Sequence, residues 1–208
     1  MDYDYMEQKS RRWYISQQTF PELLNRNVTQ FASKKAQMWK DPQGEILSIT
    51  FAQLGRIVQE ITCGLMELGI GHGDRAAIMS NTRAEWMQCD YGILCAAGIT
   101  VCIYPTLSGS EMSYIMNDSG SRVLFVEKEA DLAKCLAETE GIPALEKIIV
   151  IEGADEYEDA RVMSLKALRE LGSKAILKDR FAFENRWRSV KLDDRMTIVY
   201  TSGTTGNP

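Results

Sequence analysis

Histidine is nearly absent from this sequence: His72 is the only one in 208 residues. It lies between Gly71 and Gly73, so neither a zinc ligand set nor an acid–base pair can be assembled around it, and an exposed turn residue is expected. A basic surplus is also lacking. The 24 lysines and arginines are outnumbered by 29 acids, a formal net charge of -5, and nothing recommends nucleic acid as a partner. Cys63, Cys89, Cys95, Cys102 and Cys135 are odd in number, and no pair has the two-residue gap of a redox motif or zinc knuckle. Buried free thiols in a reducing compartment are the expectation.

Long apolar runs are missing as well. The most apolar stretch, Tyr91 to Tyr104, is fourteen residues long and interrupted by Gly92, Gly98 and Thr100. A bilayer-spanning helix needs about 20 apolar residues, so a buried helix–strand junction is expected instead. The opening MDYDYMEQKSRRWY places acids first with no apolar run behind them, unlike a secretory signal. These absences point to a cytoplasmic protein, with peripheral contact to the inner face of a membrane left open.

What is present is a globular composition, 45% hydrophobic and 25% charged. Thr19 precedes Phe20-Pro21-Glu22 as a helix cap, and Leu24, Val28 and Phe31 recur at helical spacing. A hairpin is expected from Ala36–Lys40, the turn Asp41-Pro-Gln-Gly44 and Glu45–Ile49. Thr50 then caps a longer helix with an apolar stripe of Leu54, Ile57, Val58, Ile61, Leu65 and Leu68.

From Arg75 the pattern changes to short apolar strands, Ala76–Met79, Ile99–Tyr104, Val123–Val126 and Ile148–Ile151. The helices between them span Arg83–Ala97, Ser110–Asn117 and Glu129–Glu138. Strands without polar alternation, separated by helices, indicate an α/β fold: a mostly parallel sheet covered by helices on both faces. Glu152–Asp159 holds five acids in eight residues and reads as a solvated loop. Ser164–Lys178 is helical with Leu165, Leu168 and Leu171 inward, Asp179–Val190 runs over the surface, and Met196–Tyr200 is a last strand. No internal repeat is evident.

That strand runs directly into Thr201-Ser-Gly-Thr-Thr-Gly-Asn-Pro208. Gly203 and Gly206 permit close approach of backbone to a ligand, and Thr201, Ser202, Thr204 and Thr205 add hydroxyls. Donors gathered at the end of a parallel strand can cradle phosphate oxygens. The spacing is not that of the common P-loop, which has four residues between its glycines and a following lysine. Composition alone favours a solvent-exposed turn. Elsewhere the plain readings also prevail: Trp39, Trp86 and Met87 as packing residues, Asp193 and Asp194 as solvated or capping acids, and Arg186, Arg188 and Lys191 as a basic patch diluted by Glu184 and Asp193.

The order of residues in Tyr200-Thr-Ser-Gly-Thr-Thr-Gly-Asn-Pro208 nevertheless resembles the phosphate-loop signature of the adenylate-forming enzymes, which normally continues with Lys-Gly. Leu47-Ser-Ile-Thr-Phe51 is similar to that family's strand before its first long helix, and Gly69–Ile78 to the turn and strand after it. Ile103-Tyr104-Pro105-Thr106, followed by Ser110-Glu111, looks most like the long-chain fatty acyl-CoA synthetase branch. The likeness runs from about Thr19 to Pro208.

The resemblance implies that residues 1–208 are an incomplete N-terminal part of the adenylate-forming large domain. Its parts would be leading helices and a hairpin (19–74), strand–helix units (75–151), an acidic loop and surface helices (152–195), and the strand with its phosphate loop (196–208). It implies a long-chain fatty acid–CoA ligase using ATP, Mg²⁺ and coenzyme A, with fatty acid and ATP as small-molecule partners. Thr201, Ser202, Gly203, Thr204, Thr205 and Gly206 would hold the β- and γ-phosphates. Catalytic residues would lie downstream of Pro208, and no metal ligand is assigned. The 208 residues alone are expected to be inactive, with an exposed sheet edge near Ile198 through which copies can self-associate.

Two other readings stand beside this one: a non-enzymatic binding module of the same fold, or another acid-activating member of the family. A nicotinamide-linked protein would need a glycine-rich turn after an early strand, and Met79-Ser-Asn-Thr-Arg83 supplies none.

Overall fold

The computed structural model describes residues 18–201. Its first helix, α1, spans Phe20–Gln30 and is closed at its start by a capping box. The Thr19 hydroxyl accepts from the Glu22 N–H at 3.3 Å while the Glu22 carboxylate accepts from the Thr19 N–H at 2.8 Å, so two otherwise orphaned donors are satisfied together. Pro21 fits the first turn, where no backbone donor is needed. Leu24 is buried as expected. Phe31 is not part of the helix stripe: it caps the helix, stays 46% exposed, and lies against Phe51 with ring centroids 6.4 Å apart.

Strands β1 (Lys35–Lys40) and β2 (Ile46–Thr50) form the expected antiparallel hairpin. Its turn is held by the Asp41 carboxylate, which accepts from the N–H groups of Gln43 and Glu45, and by Gly44 at φ 89°, a left-handed conformation that favours glycine. Thr50 and Gln53 form a second capping box for α2, Phe51–Glu67. Its inward face carries Leu54, Val58, Ile61 and Leu65, all buried, while Ile57 and Leu68 flank them half-buried.

The strand–helix units follow: β3 (Arg75–Met79), α3 (Ala84–Cys95), β4 (Ile99–Ile103), α4 (Gly109–Ser119), β5 (Val123–Lys128), α5 (Glu129–Leu136) and β6 (Lys147–Glu152). α6 (Leu165–Lys178), capped by Ser164, is the helix expected at Ser164–Lys178. Two elements had no separate signal in the sequence, β7 (Val162–Ser164) and α7 (Ala182–Arg188). The last strand, β8, spans Thr197–Val199.

Six strands make one parallel sheet in the order β7-β6-β5-β3-β4-β8. Strand residues alternate between its two faces. Ala77, Met79, Val101, Ile103, Leu124, Val126, Ile148 and Val150 pack with Met112, Ile115 and Met116 of α4 and Leu132 and Cys135 of α5. Ala76, Ile78, Val123, Phe125 and Ile149 pack on the opposite side with α2, α3 and α6. The sequence therefore reads correctly as a sheet covered on both faces.

The cysteines serve that packing: Cys63, Cys89, Cys95 and Cys135 are buried, Cys102 is half-buried, and all five are free thiols. His72 is the exposed turn residue expected. The expectation that no acid can pair with it needs correcting, since Nε2 lies 2.8 Å from Oδ2 of Asp194, a residue 122 positions away. The sheet brings the two together because the turn before β3 and the turn before β8 lie at the same end of the strands. Asp194 also caps its own turn, accepting from the Lys191 N–H at 2.8 Å.

Candidate functional site

A parallel sheet gathers the loops that follow its strands at one end, and ligands bind where neighbouring strands send their helices to opposite faces. Here β3 and β4 are such neighbours, since α3 packs on the Phe125 face and α4 on the Met116 face. A crevice of about 380 Å³ opens at their carboxyl ends. Its walls are Ser80, Asn81 and Thr82 after β3, Tyr104 and Pro105 after β4, and Cys102, Trp86 and Val199. Trp86 is thus both a partner of the core under α3 and part of this wall, whereas Met87 is 44% exposed.

The wall after β3 is fixed by one carboxylate. Oε2 of Glu127, near the end of β5, accepts from the Asn81 N–H at 2.7 Å, the Asn81 side-chain amide at 2.9 Å and the Ser80 hydroxyl at 3.2 Å. Burial works against the charge of Glu127, but these donors, with Arg83 nearby, hold its pKa below the ordinary glutamate value. Arg83 in turn pairs with Glu85 at 2.8 Å and Glu152 at 2.7 Å. The turn after β3 is therefore pinned to the ends of β5 and β6.

β8 runs to the same end of the sheet. It lies parallel to β4 in the register Thr100↔Thr197, Val101↔Ile198, Cys102↔Val199. Val199 borders the crevice, and Tyr200 and Thr201 follow it directly. Tyr200 packs against the core beneath α4 and α5, and its hydroxyl donates to Oδ2 of Asp118 at 2.6 Å. Burial, and then the bond to the Asp118 carboxylate, push the Tyr200 phenol above its ordinary pKa. Thr201 is exposed. Ser202, Gly203, Thr204, Thr205 and Gly206 lie outside the described residues.

A second cleft, of about 230 Å³, is lined by Phe20, Pro21, Leu94, Ala97, Gly98, Leu192 and Met196. It sits where β4 and β8 begin, at the far end from Thr201. Among the described residues no group of three histidine, cysteine or acidic side chains could hold a metal ion.

Residues 24–208 match the AMP-binding enzyme family. The chain belongs to that family. The long-chain-fatty-acid–CoA ligase FadD15 of Mycobacterium tuberculosis is 34% identical over 161 residues, 77% of this chain and 25% of that protein. The long-chain-fatty-acid–CoA ligase ACSBG1 of Mus musculus is 27% identical over 201 residues, 96% of this chain and 26% of that protein. The chain thus spans about a quarter of the length of the curated relatives it matches.

Solved structures share the fold. A long-chain-fatty-acid–CoA ligase from Archaeoglobus fulgidus superposes with a TM-score of 0.70 at 19% identity, covering 91% of this chain and 35% of that one. The anthranilate CoA ligase AuaEII bound to anthranoyl-AMP gives 0.68 at 24% identity, covering 90% and 33%. The sequence resemblance to the adenylate-forming enzymes is borne out at family level, and with it homology to long-chain fatty acyl-CoA synthetases. Sequence reading missed Glu127 and Asp118. Asp118 does carry a signal, an acid in the last turn of a helix, but it lies one residue beyond the helix expected at Ser110–Asn117.

Proposed function

We propose that this chain is part of an AMP-forming long-chain fatty acid–CoA ligase. The carrying observation is that β8 brings Tyr200-Thr201 to the crevice end of a parallel sheet in a chain 34% identical over 161 residues to a ligase of that name.

In this reading a fatty carboxylate oxygen attacks the α-phosphorus of ATP, the bond to pyrophosphate breaks, and acyl-adenylate forms. The thiol of coenzyme A then attacks the acyl carbonyl, and AMP leaves. Thr201, Ser202, Gly203, Thr204, Thr205 and Gly206 hold the β- and γ-phosphates, supplying N–H and hydroxyl donors against charge that a carboxylate must approach. Mg²⁺ would add charge neutralisation at the triphosphate. The four-part division of residues 1–208 belongs to the same reading, as do a cytoplasmic location and association of copies through the outer edge of β8. No helix among the described residues is long and apolar enough to cross a membrane.

Acid-dependent ATP–pyrophosphate exchange tests the proposal, run on the intact protein with a series of acids from acetate to palmitate. Catalytic efficiency should rise with chain length by up to about fourfold per methylene, the equivalent of about 0.8 kcal/mol for each buried CH₂. A maximum at acetate, or no exchange with any acid, overturns it. The 208-residue chain alone, a quarter of its relatives' length, should show no exchange.

A further inference from the structure

The loop that the proposed function relies on leaves the sheet from a weak place. β8 has three residues in the ladder, lies at the end of the sheet, and pairs with β4 alone. Thr197 and Val199 are exposed, so packing holds only one side of the strand. A donor loop must be placed accurately to gain from its phosphate contacts, since a misplacement of about 1 Å can cost two orders of magnitude in rate. Something other than the ladder has to set where Thr201 begins.

We propose that Asp118 is a positioning residue for the phosphate-binding loop, acting through the Tyr200 hydroxyl. Tyr200 is the residue immediately before Thr201, and its 2.6 Å bond to Asp118 spans 82 positions in the chain. Two contacts thereby fix one side chain: the ring rests against the core under the sheet, and the hydroxyl ends on a carboxylate.

The carboxylate belongs to a rigid element. Met112, Ile115 and Met116 of α4 are almost wholly buried, Asn117 donates to the Gly141 carbonyl at 2.7 Å, and Gly120 ends the helix at φ 63°. A site carried on such an element is held more accurately than one carried on loops.

Helix stability does not account for an acid there. Asp118 lies in the last turn of α4, where the negative end of the helix dipole disfavours a carboxylate. The residue works against its own helix and for the strand that carries the loop. This inference rests on the phosphate-loop reading of Thr201–Gly206. The anchor itself does not.

Two measurements on the intact protein separate the two claims. Amide hydrogen exchange over residues 197–201, compared between wild type, Asp118→Ala and Tyr200→Phe, reports the anchor without any assay of activity. Both substitutions should speed exchange there while the Val123–Lys128 strand stays protected. Steady-state ATP–pyrophosphate exchange reports the positioning role. Both variants should raise the KM for ATP by about five- to tenfold, with little change in fatty-acid KM at saturating ATP. Asp118→Asn keeps an acceptor oxygen and should recover most of the loss. The double variant should be no worse than either single one, because both remove the same bond.

Unchanged hydrogen exchange overturns the anchor. Faster exchange with an unchanged ATP KM overturns the positioning role. Absence of ATP–pyrophosphate exchange in the wild-type protein overturns the ligase reading and the positioning role with it, and is seen before any substitution is made.

Discussion

Gly172 of α6 lies directly against the backbone carbonyl of Glu60 in α2, so that a Cβ on residue 172 would overlap the Glu60 oxygen. Four residues from Glu60, Gly64 meets the Leu168 carbonyl in the same way. The two helices touch backbone to backbone, and the Arg169 guanidinium closes on the Glu60 carboxylate at 2.7 Å beside the contact. Gly172→Ala should therefore force the helices apart and destabilise the protein by roughly 1–3 kcal/mol or more, since the obstructing atom is backbone and cannot rotate away. Urea denaturation with a two-state fit checks this. Ser173→Ala, one residue along, is the control and should be near neutral.

A second prediction concerns the exit of α3. The Gly98 N–H donates to Ile93 at 2.9 Å and the Ala97 N–H to Leu94 at 3.0 Å, a helix stop that favours glycine at the position of Ala97. α2 ends with the same pair of bonds and does have glycine there, Gly69 at φ 81°. Ala97 is held at φ 61°. Ala97→Gly should relieve about 1–2 kcal/mol of steric cost and return about half of that as lost chain entropy. The expected net gain is a rise in Tm of a few degrees, read by calorimetry.

Acid should loosen the wall of the crevice. The pKa of Glu127 is held below its ordinary value of 4.5, so its contribution to stability is full above that value and is lost as pH falls through the lower folded-state value. Tm measured between pH 6 and pH 3 should therefore fall more steeply for wild type than for Glu127→Gln, with the two curves converging in acid. Parallel curves across that range would show that this carboxylate contributes nothing specific.

Thiol chemistry should single out Cys102. Burial pushes the thiol of Cys63 up to about 11 and that of Cys135 to about 12, and it raises Cys89 and Cys95 as well. Thiolate is the reacting form, so these four should resist a disulfide reagent at pH 8 in the native state. Cys102, also raised by burial but bordering the crevice, should be modified first, as mass mapping of the labelled peptide will show. Equal labelling of all five would mean that the core opens on the timescale of the reaction.

Much of this architecture is legible from local pattern. Thr19 and Thr50 announce their helices because a hydroxyl three residues before a Glu or Gln satisfies two backbone donors, and that chemistry needs no distant partner. The apolar runs at 76–79, 99–103 and 148–151 announce buried parallel strands because both faces of each must leave water. The phosphate-loop signature of Thr201–Gly206 is legible for the same reason: it consists of neighbours in the chain. β7 has three residues and α7 seven, too short for a period to register.

What tertiary structure decided are the pairings between residues far apart. The order β7-β6-β5-β3-β4-β8 alone sets Asn81 against Glu127, His72 against Asp194, and Tyr200 against Asp118. Hydrogen bonds of this kind depend on where two elements meet in space, to within a few tenths of an ångström, and no periodicity along the chain encodes that meeting. The sequence by itself determined which segments would be buried and which loop would carry donors. Only the packed sheet determined which distant side chains meet, Tyr200 on Asp118 among them.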